Sequence, residues 1–244
     1  MGMGREFPGF IREVRLDRAK VTDPARHPYD IPAVAALDVL PLAPGLTVLV
    51  GENGAGKSTL IEAIAIAARF NAEGGSRNFR FAQRPSESEL HRSLVLVRGP
   101  RRERTGFFLR AESLFNLATA AEGLGPDSGW EVLHEKSHGE AFLWLLQNRF
   151  GPGGLYILDE PESALSPQRQ LAALQIIHTL IGQGSQFIMA THSPILMAYP
   201  GAVLYHLGPD GIARITYEDT EHYQITRTFL QNPERYFKHL LSEP

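Results

Sequence analysis

The octet Gly51-Glu52-Asn53-Gly54-Ala55-Gly56-Lys57-Ser58 has the spacing Gly-x-x-x-x-Gly-Lys-Ser. It lies between the apolar run Thr47–Val50 and a helical apolar pattern over Ser58–Phe70. Each residue type has a chemical reason. Glycines let successive backbone N–H groups turn inward around a phosphate, and the opening of a helix adds partial positive charge at the same place. Lys57 supplies a compact cation for β- and γ-phosphates, and the Ser58 hydroxyl a hard oxygen ligand for Mg²⁺. Gly51, Asn53, Gly54, Ala55, Gly56, Lys57, Ser58 and Thr59 are therefore the expected nucleotide-binding residues.

A second acidic element follows about a hundred residues later. Leu155-Tyr156-Ile157-Leu158 reads as a buried strand whose C-terminal end delivers Asp159 and Glu160. Strand alternation points adjacent side chains in opposite directions. That suits two roles, with Asp159 joining Ser58 in the Mg²⁺ shell and Glu160 facing the water that attacks the γ-phosphate.

The elements that must position these groups alternate in type. Residues 9–18 alternate as a half-exposed strand, and the proline-rich 22–34 reads as loop. Leu94–Val97 and Gly106–Leu109 read as two antiparallel strands joined by the basic turn Pro100–Arg104. Helices are expected over Leu114–Glu122, Glu140–Phe150, Pro167–Ile181 and from Pro233 to about Leu241, the last capped by Asn232. Phe187–Ala190 is another buried strand, and Val203–His206 with Ala213–Tyr217 bracket a turn at Gly208–Gly211. Short apolar strands alternating with helices predict an α/β fold with a mixed sheet covered on both faces.

Together these motifs resemble the ATP-binding-cassette ATPases over roughly residues 45–200. Glu160 is followed by Pro161-Glu162-Ser163-Ala164-Leu165-Ser166, and Thr191-His192-Ser193 comes at a later strand end. Ser137-His138-Gly139-Glu140 heads a helix between the phosphate loop and Asp159. The order is similar to the Walker A, signature, Walker B, D-loop and switch-histidine elements of that superfamily. The resemblance implies a P-loop NTPase fold with a small accessory lobe over 71–136, inside a single domain spanning 1–244. It also implies Mg²⁺-dependent ATP hydrolysis by a homodimer that sandwiches two ATP molecules head to tail. Ser137 and the amides of His138 and Gly139 would face the partner's ATP, and His192 would bond the γ-phosphate; the implied catalytic set is Glu160, His192 and Lys57.

Membrane transporters of the superfamily usually read Leu-Ser-Gly-Gly-Gln and Asp-Glu-Pro-Thr-Ser-Ala-Leu-Asp at these places. Glu140, Glu162 and Ser166 depart from that, and the Glu-Pro-Glu form is similar to soluble AAA-like ATPases related to RecF, SMC and OLD proteins. Only 80 residues separate Lys57 from Ser137, too few for an SMC coiled-coil arm, and 52 residues follow His192, too few for an OLD nuclease domain. The implied role is a cytoplasmic conformational switch in DNA maintenance or phage defence. The alternatives are the nucleotide-binding subunit of a transporter and a protein-binding switch without nucleic acid. For the glutamine that couples the γ-phosphate to the lobe, the candidates are Gln83 and Glu112, with the Arg110–Ser113 stretch preferred. Tyr29 is a candidate for stacking on adenine.

Composition narrows the chemistry. The 244 residues include no cysteine, which excludes disulfides, Cys-ligated metals and thiol catalysis. Met1–Glu6 has no apolar core for a signal peptide. Residues 170–209 hold no Asp, Glu, Lys or Arg, yet Gly182, Gly184, Pro194 and Pro200 interrupt them. No run of about 20 apolar residues results, so a buried core is expected in place of a transmembrane span. Net charge is −3, but residues 77–110 carry nine arginines against Glu87, Glu89 and Glu103. That segment is the candidate for DNA phosphates or an acidic protein surface. The excess of arginine over lysine, 20 to 4 across the chain, equally fits a solvated hairpin.

Overall fold

A computed structural model describes residues 7–76, 88–111 and 136–241. In chain order these form β1 (Ile11–Leu16), α1 (Pro32–Ala35), β2 (Val39–Pro41), β3 (Leu46–Val50), α2 (Lys57–Ala67), β4 (Gly75–Ser76), α3 (Leu90–Ser93), β5 (Leu94–Arg98) and β6 (Thr105–Arg110). There follow α4 (His138–Asn148), β7 (Gly154–Asp159), α5 (Pro167–Gly182), β8 (Gln186–Ala190), α6 (Pro194–Met197), β9 (Val203–Gly208), β10 (Gly211–Ile215), α7 (Glu221–Gln231) and α8 (Pro233–Leu240).

The central sheet runs β10-β9-β3-β8-β7-β6-β4. Its inner five strands pair in parallel, and antiparallel β10 and β4 close the two edges. β3, β7 and β8 are buried along their whole length, as strands covered on both faces must be. One face packs on α2 through Leu60, Ile61 and Ile64 together with Val14 and Leu40 of the N-terminal strands. The other packs on α4 and α5 through Phe142, Leu145, Ala173 and Ile177. This is the mixed α/β architecture expected from the sequence. The charge-free run is likewise core: it holds most of α5, then β8, α6 and β9. No helix among the described residues is long and apolar enough to cross a membrane.

The expected β5–β6 hairpin does not form. β5 pairs antiparallel with β1, which also pairs with β2, making a separate three-stranded sheet. β6 instead lies parallel to β7 in the central sheet. Burial explains the separation. Phe107, Phe108 and Leu109 are all buried and demand a strand covered on both sides, whereas β5 is partly open beyond Leu94. The crossing between sheets is tied down by the Arg98 guanidinium on the Glu103 carboxylate at 3.1 Å, and by Arg104 N–H donating to the Gly153 carbonyl at 2.9 Å. Within the expected lobe 71–136, therefore, β4 and β6 are strands of the central sheet and β5 belongs to the N-terminal one. The expected helix 114–122 lies outside the described residues.

Gln186 joins the two sheets. At the start of β8 its Oε1 accepts from the N–H groups of Phe10 and Ile11 at 2.8 and 3.0 Å. Its Nε2 donates to the carbonyls of Ile11 and Ala43, both at 2.8 Å. Four bonds fully satisfy a buried amide, which therefore costs little to bury and much to remove. Gln186→Leu leaves two N–H donors and two carbonyls buried without these partners. It is expected to lower the unfolding free energy by about 2–4 kcal/mol, read as a shift of the urea midpoint at unchanged slope.

Candidate active site

The register of the parallel strands decides what meets at their C-terminal ends. Leu49 pairs with Ala190, Ala190 with Asp159, and Asp159 with Arg110. The residues just beyond β3, β8, β7 and β6 therefore gather along one edge of the sheet, the usual crevice for ligands in such folds. The phosphate loop occupies it. Gly51 has φ 149° and a Cβ there would overlap the Leu207 carbonyl oxygen; Gly56 has φ 92° and would meet Ile31 Cγ2 at 2.7 Å. Both glycines are steric requirements, as their spacing predicts.

Lys57 opens α2 and is buried, with Nζ donating to the Glu52 carbonyl at 2.9 Å. Burial holds its pKa below the ordinary lysine value, opposed by the fields of Glu160, Asp159 and Glu162. Ser58 Oγ donates to Asp159 Oδ1 at 3.1 Å. Two clefts meet at Ser58. One, of about 570 Å³, is lined by Asn53, Gly54, Gly56, Lys57, Ser58, Thr59, Glu160, His27 and Ile31. The smaller, of about 180 Å³, adds Asp159, Arg110, Ala111 and Ser163. Ala55 lines a neighbouring groove with Asn53 and Gly54. Ser58 and Asp159 make an all-oxygen pair at the cleft mouth, which fits Mg²⁺ held by one or two protein oxygens plus phosphate and water. Among the described residues no cluster of three or more His, Asp or Glu could hold a metal by itself.

Asp159 and Glu160 do diverge, though alternation is not the whole cause. Asp159 ends β7, whereas Glu160 has left-handed backbone, φ 47° and ψ 53°, and swings away from the strand line. Its Oε1 lies 3.7 Å from His192 Nε2. That Nε2 is buried and makes no hydrogen bond. Burial and Lys57 lower the His192 pKa, against the pull of Glu160, so the ring is neutral near pH 7.

Glu162 was visible in the sequence only as a departure from transporter pattern. Its carboxylate accepts from the Thr191 hydroxyl at 2.7 Å and from the His192 N–H at 2.5 Å. It clamps the strand end that carries His192 to the turn after Glu160. Burial raises its pKa, and these two donors oppose the rise. Two further residues join the site: Arg110 opens the stretch preferred for the coupling residue, and His222 carried no recognisable signal. Arg110 donates from Nη1 to Glu62 at 2.7 Å and sets Nε 3.5 Å from Asp159 Oδ2. His222, in the first turn of α7, places Nε2 2.9 Å from His192 Nδ1.

Other expected residues stand apart. Ser137, His138 and Gly139 line neither cleft around Ser58. Ser137 instead donates its hydroxyl and its N–H to Glu140 Oε2 at 2.6 and 2.9 Å, and Arg169 binds the same pair. Tyr29 is buried in the core, its hydroxyl 2.8 Å from Ser93 Oγ, so its ring cannot receive a base; His27 and Ile31 line the cleft in its place. Gln83 and Glu112 lie outside the described residues. Of the basic segment, Arg98 and Arg110 are spent on internal carboxylates, while Arg101, Arg102 and Arg104 are exposed.

Comparison with known proteins agrees with this geometry. Residues 36–103 match the family model described as "AAA domain", and residues 140–198 the one described as "AAA domain, putative AbiEii toxin, Type IV TA system". The chain is 28% identical over 155 residues to the zinc import ATP-binding protein ZnuC of Vibrio cholerae, covering 60% of this chain and 56% of that one. It is 27% identical over 180 residues to the ABC-type transporter vrcC of Aspergillus aculeatus, covering 63% of this chain but 12% of the other. Among solved structures, the SMC head domain of Thermotoga maritima overlaps loosely, with TM-score 0.47, 16% identity and coverage of 85% and 98%. The two family matches, together with the sheet order and the motif order, support a P-loop ATPase domain of the ATP-binding-cassette type.

Glu162→Ala leaves the Thr191 hydroxyl and the His192 N–H without their acceptor. It is expected to cost about 1–3 kcal/mol of stability, measured by denaturant unfolding, because two partly buried donors lose a carboxylate.

Proposed function

We propose that this chain hydrolyses ATP as a Mg²⁺-dependent, ATP-sandwiched head-to-tail homodimer, and that closing and opening of the dimer is the working switch. The observation that carries this is that Lys57, Ser58 and Glu160 line one cleft, Asp159 in the adjoining cleft accepts from Ser58, and the buried, unbonded His192 Nε2 stands 3.7 Å from Glu160 Oε1. Lys57 binds the β- and γ-phosphates, which relieve its buried charge. Ser58 and Asp159 would hold the Mg²⁺, which offsets charge on the phosphate oxygens. Glu160 orients the attacking water and takes its proton as the bond to the γ-phosphorus forms and the bond to the leaving ADP oxygen breaks. His192 donates from Nε2 to the γ-phosphate. The turn of Ser137, His138 and Gly139 would meet the second subunit's ATP, whose phosphate competes with Glu140 for the Ser137 hydroxyl.

The switch serves DNA maintenance or defence in this reading, a cytoplasmic role in which the exposed basic turn 100–104 faces the partner. The exposed Arg101, Arg102 and Arg104 are the contacts for DNA phosphates. A second reading, the ATP-binding subunit of a transporter, is favoured by the likeness to the ZnuC protein of V. cholerae, and recovery with a polytopic partner in membrane fractions would establish it.

Lys57→Ala is expected to abolish nucleotide binding by isothermal titration. Glu160→Gln is expected to keep binding, to lower ATP turnover by about 10²-fold or more, and to run as a dimer in ATP on size exclusion. A Glu160→Gln variant that stays monomeric with bound ATP overturns the sandwich. For DNA, a mobility shift that fades with salt and on Arg101/Arg102/Arg104→Glu supports the first reading; no binding at low salt removes it.

A further inference from the structure

Resting on the ATPase reading above, we propose that His222 is a positioning residue: its Nε2–H donates to His192 Nδ1 and so fixes the His192 tautomer whose Nε2–H faces the γ-phosphate. Nothing in the motif pattern points to this residue, which lies thirty positions beyond His192 on a different element.

The two rings stand 5.1 Å apart between centroids, inclined by 54°, with Nδ1 of one 2.9 Å from Nε2 of the other. Two imidazoles at that distance share one proton. If His192 Nδ1 carried it, His192 Nε2 would be a bare lone pair aimed at the Glu160 carboxylate 3.7 Å away, and it could donate to no phosphate. If His222 Nε2 carries it, His192 Nδ1 accepts and its Nε2 bears the proton. The buried, unbonded Nε2 is then a donor facing the Glu160 carboxylate, which borders the cleft of Lys57 and Ser58. Only the second arrangement matches the charges that face the nitrogen.

The surroundings hold the pair neutral and in place. Burial and Lys57 depress the proton affinity of both rings, and His192 further depresses that of His222; Glu160 opposes this at His192, and Glu221 and Glu162 oppose it at His222. The His192 backbone is gripped by Glu162 through its N–H, so ring orientation is set from the main chain on one side and from His222 on the other. Thr220 fixes the source of that second grip, its hydroxyl capping α7 by accepting from the Tyr223 N–H at 3.3 Å.

The test uses the full chain labelled with ¹⁵N-histidine and long-range ¹H–¹⁵N spectra, with His192 identified by its loss in His192→Gln. The expected spectrum shows neutral His192 protonated at Nε2, and His222→Phe, which keeps a ring but no donor, converts it to a mixture or to the Nδ1–H form. In steady-state assays His222→Phe is expected to lower kcat at least about tenfold with the KM for ATP changed less than about twofold. His222→Gln, whose amide N–H can donate to Nδ1, should recover kcat to within about threefold of the parent. An Nδ1–H tautomer in the parent protein overturns the proposal. So does an unchanged kcat and tautomer in His222→Phe, or a His222→Gln variant as impaired as His222→Phe. A parent protein that turns over no ATP refutes the ATPase reading, and the tautomer spectrum alone then decides the imidazole pair.

Discussion

The cleft is organised around a buried cation. Lys57 is 4% exposed, set at the opening of a helix whose amides already carry partial positive charge. A buried ammonium is tolerated only where carboxylates or carbonyls compensate it, and here Glu160, Asp159 and Glu162 all act on it while the Glu52 carbonyl accepts a hydrogen bond from it. The three acids come from the strand and turn two places away in the sheet, so the cation can exist only if β3, β8 and β7 hold their register. Fold and site are thus one constraint: slipping β7 by one residue would move Asp159 away from Ser58 and leave the ammonium uncompensated.

Outward from that cation, the polar contacts form a single connected path. Glu160 faces His192, His192 and Thr191 are bound by Glu162, and Ser193 at the start of α6 donates to Gln170 at 2.5 Å. Gln170 in turn donates to the Leu165 carbonyl at 3.0 Å, returning to the turn that follows Glu160. The loop is closed, so the turn after β7 and the end of β8 cannot shift independently. Its polar residues come largely from the charge-free stretch, where glutamine, serine and threonine satisfy buried backbone without the cost of a buried charge. Gln186 does the same at the opposite end of β8, holding the N-terminal sheet against the central one.

Much of the site was legible because its signals are local. The phosphate loop needs glycine where the backbone crowds Leu207 and Ile31, and it shows as spacing in eight consecutive residues. Asp159 and Glu160 show as acids terminating an apolar strand, and the cap at Asn232 shows as a side chain that bonds the N–H three residues on. What failed had no local signature. Tyr29 looked like an exposed loop aromatic, and its fate was settled by Ser93, sixty-four residues away. The basic turn looked like a hairpin because its strands are adjacent in sequence; burial on both faces sent one of them to the central sheet.

The sequence by itself therefore determined the phosphate-binding loop, the strand that supplies the two carboxylates and the α/β class, because glycine spacing, apolar periodicity and caps act over a few residues. Tertiary structure alone decided that Glu162 would clamp His192, that Arg110 would lie against Asp159, and that His222 would lean on His192. Those meetings join residues 30 to 49 positions apart through strand order and helix placement, and only the register of the assembled sheet brings them within bonding distance.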